Sequence, residues 1–162
     1  MLRVESRAEP NSTPTDTLRL VYDDRKKSRV RVWSELGREV AVLLSRGSAL
    51  RDGDLLAANS GEVLLVRAKP ETVSEAWSSD WALLTRAAYH LGNRHVALQI
   101  EPGVLRYQHD HVLDGMLEGM GLGVRVVERA FEPEGGAYGA AGSAHGHGHK
   151  HEHEHEHEHE HD

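Results

Sequence analysis

Cysteine is absent from the 162 residues, so disulfide frameworks, thiolate-bound zinc and thiol nucleophiles are excluded together. Aromatic residues are scarce, 5% with a single phenylalanine, and the core has to be assembled mainly from Val, Leu, Ala and Met. No apolar run approaches the roughly 20 residues that a membrane-spanning helix needs. The opening Met1–Pro10 lacks an apolar signal core, so a cytoplasmic location with no membrane partner is expected. A strongly basic body is missing as well. Most of the net charge of −7 falls in residues 145–162, where Lys150 stands against Glu152, Glu154, Glu156, Glu158, Glu160 and Asp162. The remaining chain is nearly balanced, which argues against a nucleic-acid partner.

What the chain has instead is histidine. Nine of its 13 histidines form a tail in which every odd-numbered residue is His: His145, His147, His149, His151, His153, His155, His157, His159 and His161. Alternating His and Glu cannot be a buried strand, because one face would be all carboxylate and the other all imidazole. The irregular opening Ala144–Lys150 favours a native tail over an appended tag. From Glu132 the chain turns to Pro133, Gly135, Gly136, Gly139 and Gly142, which reads as a flexible tether carrying that tail. Neutral imidazole suits nickel, zinc and copper alike, so a loose, multi-ion metal-binding array is expected there.

Ahead of the tail, periodicity divides the chain in two. Leu18–Tyr22 and Val30–Val32 alternate in the manner of strands around the charged run Asp23–Ser28, predicting a hairpin. Val40–Leu44, Leu55–Ala58 and Glu62–Ala68, separated by Gly47, Asp52-Gly53 and Asn59-Ser60-Gly61, complete a small antiparallel β domain. After Pro70 the spacing becomes helical. Thr72 and Glu75 have capping-box spacing, Trp77, Trp81, Leu84, Ala88 and Leu91 share a face, and Gly92 marks the end. Candidate strands His95–Glu101 and Val104–Tyr107 follow, then a helix with Asp110 as N-cap and Val112, Leu113, Met116, Leu117 and Met120 on one face, then the strand Val124–Ala130. The fold class is α+β, with a ferredoxin-like β-α-β-β-α-β order in the second half when its first strand is counted from Glu62 or from Glu71. The expected domains are 1–70, 71–138 and the disordered His-rich tail 139–162.

Four histidines lie outside the tail. His95 sits beside apolar Val96 at the start of a predicted strand. One imidazole cannot hold a metal alone, but a two-fold axis would double it. His90, on the last helical turn, fits a structural role against exposed carbonyls and the helix dipole. His109 and His111 flank Asp110 and read equally well as a small chelate or as exposed polar neighbours of an N-cap. The basic run Arg25, Lys26, Lys27, Arg29 and Arg31 is a solvated hairpin loop or, alternatively, a partner-binding face. Two other functions compete with metal delivery. A hydrolase using His109-Asp110-His111 would need further ligands and a base, and no second ligand cluster is visible. A passive metal buffer would need the tail alone.

Taken together, Tyr89-His-Leu-Gly-Asn-Arg-His95, Leu98-Gln99, Leu105-Arg-Tyr107, His109-Asp-His-Val-Leu-Asp114 and Phe131-Glu-Pro-Glu-Gly-Gly-Ala-Tyr138 resemble the UreE family of nickel metallochaperones for urease maturation. Leu50–Leu56 and Lys27-Ser-Arg29 are similar to that family's N-terminal domain. The resemblance implies a peptide-binding-like β domain facing protein partners, and a ferredoxin-like domain that forms a homodimer. By the same resemblance, His95 matches the position whose two copies bind nickel at the two-fold axis, and His109 and His111 match peripheral metal positions. Delivery to the urease apoprotein through the accessory GTPase complex is implied, without catalysis by the chain itself. Ala97 and Gln108 depart from the expected Pro and, often, His.

Overall fold

A computed structural model describes residues 1–47 and 49–137; the nine tail histidines and the expected tail domain lie outside the described residues. The N-terminal half is a six-stranded sheet of β1 (Leu2–Arg7), β2 (Asp16–Leu20), β3 (Arg29–Trp33), β4 (Glu39–Leu43), β5 (Leu55–Ala58) and β6 (Val63–Ala68), with α1 (Tyr22–Arg25) between β2 and β3. Alternation decides which side chains turn inward. Val40 and Val42 on β4, Leu56 and Ala58 on β5, and Leu64 and Val66 on β6 are buried with Val4, Leu18 and Leu20 in one cluster. Each fully buried Val or Leu contributes about 1.5–3 kcal/mol.

The sheet is not the expected antiparallel one. Its order is β2-β6-β5-β1-β4-β3, and two of its ladders, β1 with β4 and β2 with β6, are parallel. The predicted hairpin is absent for the same reason. β2 pairs with β6, and β3 with β4, so the two strands flanking Asp23–Ser28 are not neighbours. Local alternation specifies a strand but not its partner. Leu2–Arg7, a strand that the sequence pattern did not single out, supplies the parallel partner of β4.

The second half follows the order β7 (Glu71–Trp77), α2 (Trp81–Asn93), β8 (Gln99–Glu101), β9 (Val104–Gln108), α3 (His111–Gly119) and β10 (Gly123–Arg129). Its strands form a four-stranded antiparallel sheet ordered β10-β7-β9-β8. Ala76, Ala87, Leu91, Leu105, Tyr107, Leu113 and Leu117 make the core between sheet and helices.

Glu71–Trp77 is a central strand and not the first turns of a helix. Thr72 and Glu75 form no capping box. The Thr72 hydroxyl donates to Glu128, while the Glu75 carboxylate accepts from Arg125 and Arg129. Ladders on both sides, to β9 and β10, outweigh a two-residue capping signal. The helix begins where Asp80 accepts from the Ala82 and Leu83 amides at 3.0 and 3.3 Å. Trp81, predicted for the buried face, is 75% exposed, and Val112 on α3 is also exposed. No helix among the described residues is long and apolar enough to cross a membrane.

Arg25, predicted in a solvated loop, is instead buried. Its Nε donates to the Leu20 carbonyl at 3.1 Å, Nη1 to the Leu50 carbonyl at 3.0 Å, and Nη2 to the Phe131 carbonyl. Burial pulls its pKa down, against the Glu132 and Glu71 carboxylates. Phe131 is fully buried and meets the Tyr22 ring edge-on at 5.3 Å. Glu132 accepts from the Asp52 amide at 2.6 Å, and the Glu134 amide donates to the Leu98 carbonyl at 2.7 Å. Residues 131–134 are therefore a pinned strap joining both halves, where a free tether was expected from Glu132 onward.

Replacing Arg25 with Met leaves the interior Leu50 and Phe131 carbonyls without a donor and the Leu20 carbonyl with the Lys69 amide alone, and urea unfolding is expected to show a loss of about 3 kcal/mol or more. A loss below about 1 kcal/mol would mean that water replaces the guanidinium. Two buried carboxylates set the acid limit. Desolvation raises the pKa of Asp16, but hydrogen bonds from Ser34, Arg38 and the Thr17 and Leu36 amides leave it below the ordinary value. Glu75 is likewise raised by burial and brought below it by Arg125, Arg129 and Arg106. For such groups the unfolded chain takes up protons first as pH falls. Stability is thus full above the ordinary carboxylate pKa of about 4 and declines as pH drops below it. Urea midpoints unchanged between pH 6 and pH 3, roughly either side of that value, would contradict this.

Candidate metal centre

Two of the candidate histidines share one place. A cleft of about 470 Å³ between the two halves is lined by His95, Val96, Ala97, Gln108, His109, Asp110 and Leu113 from the second half, and by Tyr22 and Lys26 from α1 and the residue after it. His111, the first residue of α3, is exposed and does not line this cleft. His90, near the end of α2, is exposed with its ring edge-on to Tyr89 at 5.4 Å.

His95 does not begin a strand. It occupies the turn that ends α2, with φ +58°, the only non-glycine positive φ among the described residues. The His95 amide donates to the Gly92 carbonyl at 3.0 Å, and the Val96 amide to the Leu91 carbonyl at 3.1 Å. That pair of bonds is a Schellman cap, with His95 at the left-handed position usually given to glycine. Gly92 itself lies inside the helix. Val96 packs on the core that holds Leu91, anchoring the turn. The exposed imidazole is therefore carried on a fixed backbone at the rim of the cleft.

His109 sits between β9 and α3. Its Nδ1 lies 3.2 Å from Asp114 Oδ2 and 3.1 Å from Ser74 Oγ. The Tyr107 hydroxyl donates to Asp114 Oδ1 at 2.7 Å. Burial and the Asp114 carboxylate push the Tyr107 phenol far above its ordinary range, so it remains a donor. Asp110 caps α3 as expected, accepting from the Val112 and Leu113 amides at 2.9 and 3.2 Å. Sequence reasoning did not identify Asp114, Tyr107 and Ser74 around His109. The available signal was Asp114 in the first turn of α3, where side chains lean back toward the helix start and the strand before it.

Gln108 makes no ligand. Its amide donates to Asp23 at 3.3 Å and to Glu71 at 3.4 Å, tying β9 to α1. Lys26 lies 2.8 Å from Asp23. The hydrogen bond that Lys26 donates to Asp23 holds the Lys26 pKa above its ordinary value, and Lys26 and Gln108 hold Asp23 below its own. Lys27 pairs with Asp24 at 3.0 Å. Lys26, Lys27 and Arg29 also line a separate groove of about 580 Å³ with Leu44, Ser45 and Arg46. Among the described residues, no three His, Cys, Asp or Glu side chains are grouped to hold a metal within one chain.

A non-glycine residue in the left-handed region costs about 1 kcal/mol, a strain tolerated where the side chain has a task. Replacing His95 with Gly is expected to leave urea stability equal or raised by roughly 0.5–1 kcal/mol. A fall in stability would show that the imidazole supports the fold.

The family model described as UreE urease accessory protein, N-terminal domain, matches residues 2–69, and that described as UreE urease accessory protein, C-terminal domain, matches residues 71–161. The chain is 54% identical over 142 residues to the urease accessory protein UreE of Pseudomonas putida strain W619, covering 87% of this chain and 88% of the relative. It is 49% identical to the protein of that name from Teredinibacter turnerae over 144 residues, 88% of this chain and 94% of the relative. Against the Escherichia coli O157:H7 protein of the same name, identity is 47% over 146 residues, covering 90% and 95%. With both halves matched in order and along nearly their whole length, the chain belongs to the UreE family of urease accessory proteins.

Proposed function

We propose that the protein is a cytoplasmic nickel metallochaperone, one that binds Ni(II) as cargo and delivers it to the urease apoprotein during assembly of the urease metallocentre. The observation that carries this reading is His95, held by a strained helix cap at the rim of a histidine-bearing cleft, in a chain of this family. Among the described residues one chain offers too few grouped ligands for a stable site, so two copies of His95 are taken to meet across a homodimer axis. His109 and His111 serve as secondary contacts. The tail, His145, His147, His149, His151, His153, His155, His157, His159 and His161, adds weak capacity. Zinc and copper suit the same imidazoles, and selectivity is left to geometry and supply. The role is transfer, not catalysis.

The working divisions are 1–70 for partners, 71–138 for dimerisation and metal, and 139–162 for the tail. The family-model boundaries at 69 and 71 support the first division. We read the second unit as ferredoxin-like, supported by its β-α-β-β-α-β order and the strand order β10-β7-β9-β8. Lys26, Lys27 and Arg29, exposed on the first unit, are the assigned contact for the accessory GTPase complex and urease.

Nickel titration of the chain lacking residues 144–162 is expected to give about one tight ion per dimer, lost on His95→Ala, while the full chain binds several more ions weakly. A passive buffer predicts that truncation removes all binding. Equal stoichiometry with and without the tail would contradict the division of labour.

A further inference from the structure

The arrangement around His109 goes further than a lone surface imidazole would. Both oxygens of Asp114 are engaged, one by the buried Tyr107 hydroxyl at 2.7 Å and the other facing His109 Nδ1 at 3.2 Å. Asp114 itself lies in the first turn of α3, where the helix dipole favours a carboxylate. A carboxylate can only accept, so the ring nitrogen facing it has to carry the proton. Ser74 Oγ, 3.1 Å from the same nitrogen, can accept alongside it. Nε2 is then the lone-pair nitrogen, and it has no hydrogen-bond partner among the described residues.

We propose that Asp114, braced by Tyr107, is a positioning residue that fixes His109 in the Nδ1–H form and so makes Nε2 the nitrogen offered to a metal ion at the cleft. The inference rests on the reading of His109 as a metal contact. A carboxylate behind a metal-binding imidazole orients the ring and raises its basicity, and its loss costs about 10–100-fold in metal affinity. A purely structural Asp114 would need only to accept from Tyr107, which an asparagine oxygen can also do.

That difference supplies the test. In Asp114→Asn the amide oxygen can still accept from Tyr107, while the amide nitrogen can donate to a bare Nδ1, as can Ser74. Long-range proton–nitrogen NMR of full-length protein near pH 8, where an unperturbed imidazole of pKa about 6.5 is neutral, reads the tautomer directly without metal. The wild type is expected to show Nδ1–H and the variant Nε2–H. In a nickel titration, broadening of the His109 resonances should then require about 10–100-fold more free ion in the variant. Wild-type Nε2–H, an unchanged tautomer in the variant, or a changed tautomer with unchanged nickel response would each overturn the inference alone. A wild-type His109 that does not respond to nickel would overturn the reading on which it rests, and the inference with it.

Discussion

Arg25 is a full charge in the protein interior, and it is tolerated because each arm of its fork meets a carbonyl oxygen from a different part of the chain. Leu20 ends β2, Leu50 precedes β5, and Phe131 follows β10, so one side chain fixes the start and the end of the described fold against each other. The consequence for function is positional. Tyr22 and Lys26, which form one wall of the histidine cleft, flank Arg25 on the same turn. The opposite wall is tied to it through Gln108, Asp23 and Glu71. The cleft exists because the junction is rigid, and the junction is rigid because burying an unsatisfied guanidinium would be far too costly.

At the opposite rim the fold accepts a local conflict. A helix end that glycine would cap without strain is capped by His95. Such departures from local consistency concentrate where a side chain has work beyond stability. The two histidines of the cleft are presented differently. His95 is fixed through its backbone, whereas His109 is fixed through its ring, by Asp114 and Ser74. Both arrangements reduce the freedom that a bound ion would otherwise have to remove.

Much of this was legible in residue order. The second half announced two helices and its later strands through periodicity, and Asp110 declared itself as a cap. The failures have a common cause. Strand partners in the first half, the strand identity of Glu71–Trp77 and the burial of Arg25 depend on groups far away in sequence, and local pattern carries no trace of them. Asp52 and Glu132, eighty residues apart, make the same point for the strap. His95 was legible as a candidate but not in its geometry, because the sequence placed glycine at 92 and the cap falls three residues later. The ring around His109 was hidden for a related reason, since Ser74 reaches it from a strand that reads locally as helix.

The central claim is that the folded body, through His95 shared between two chains, takes the first nickel ion, and that the tail takes the rest. Nickel is paramagnetic in common octahedral sites and broadens the resonances of the rings that bind it. Imidazole spectra of the full-length protein should therefore be followed while nickel rises to about one ion per two chains. The account predicts that His95 broadens first and is complete at that ratio, with the tail histidines still sharp. Tail rings broadening first, with His95 unaffected at that ratio, would contradict it.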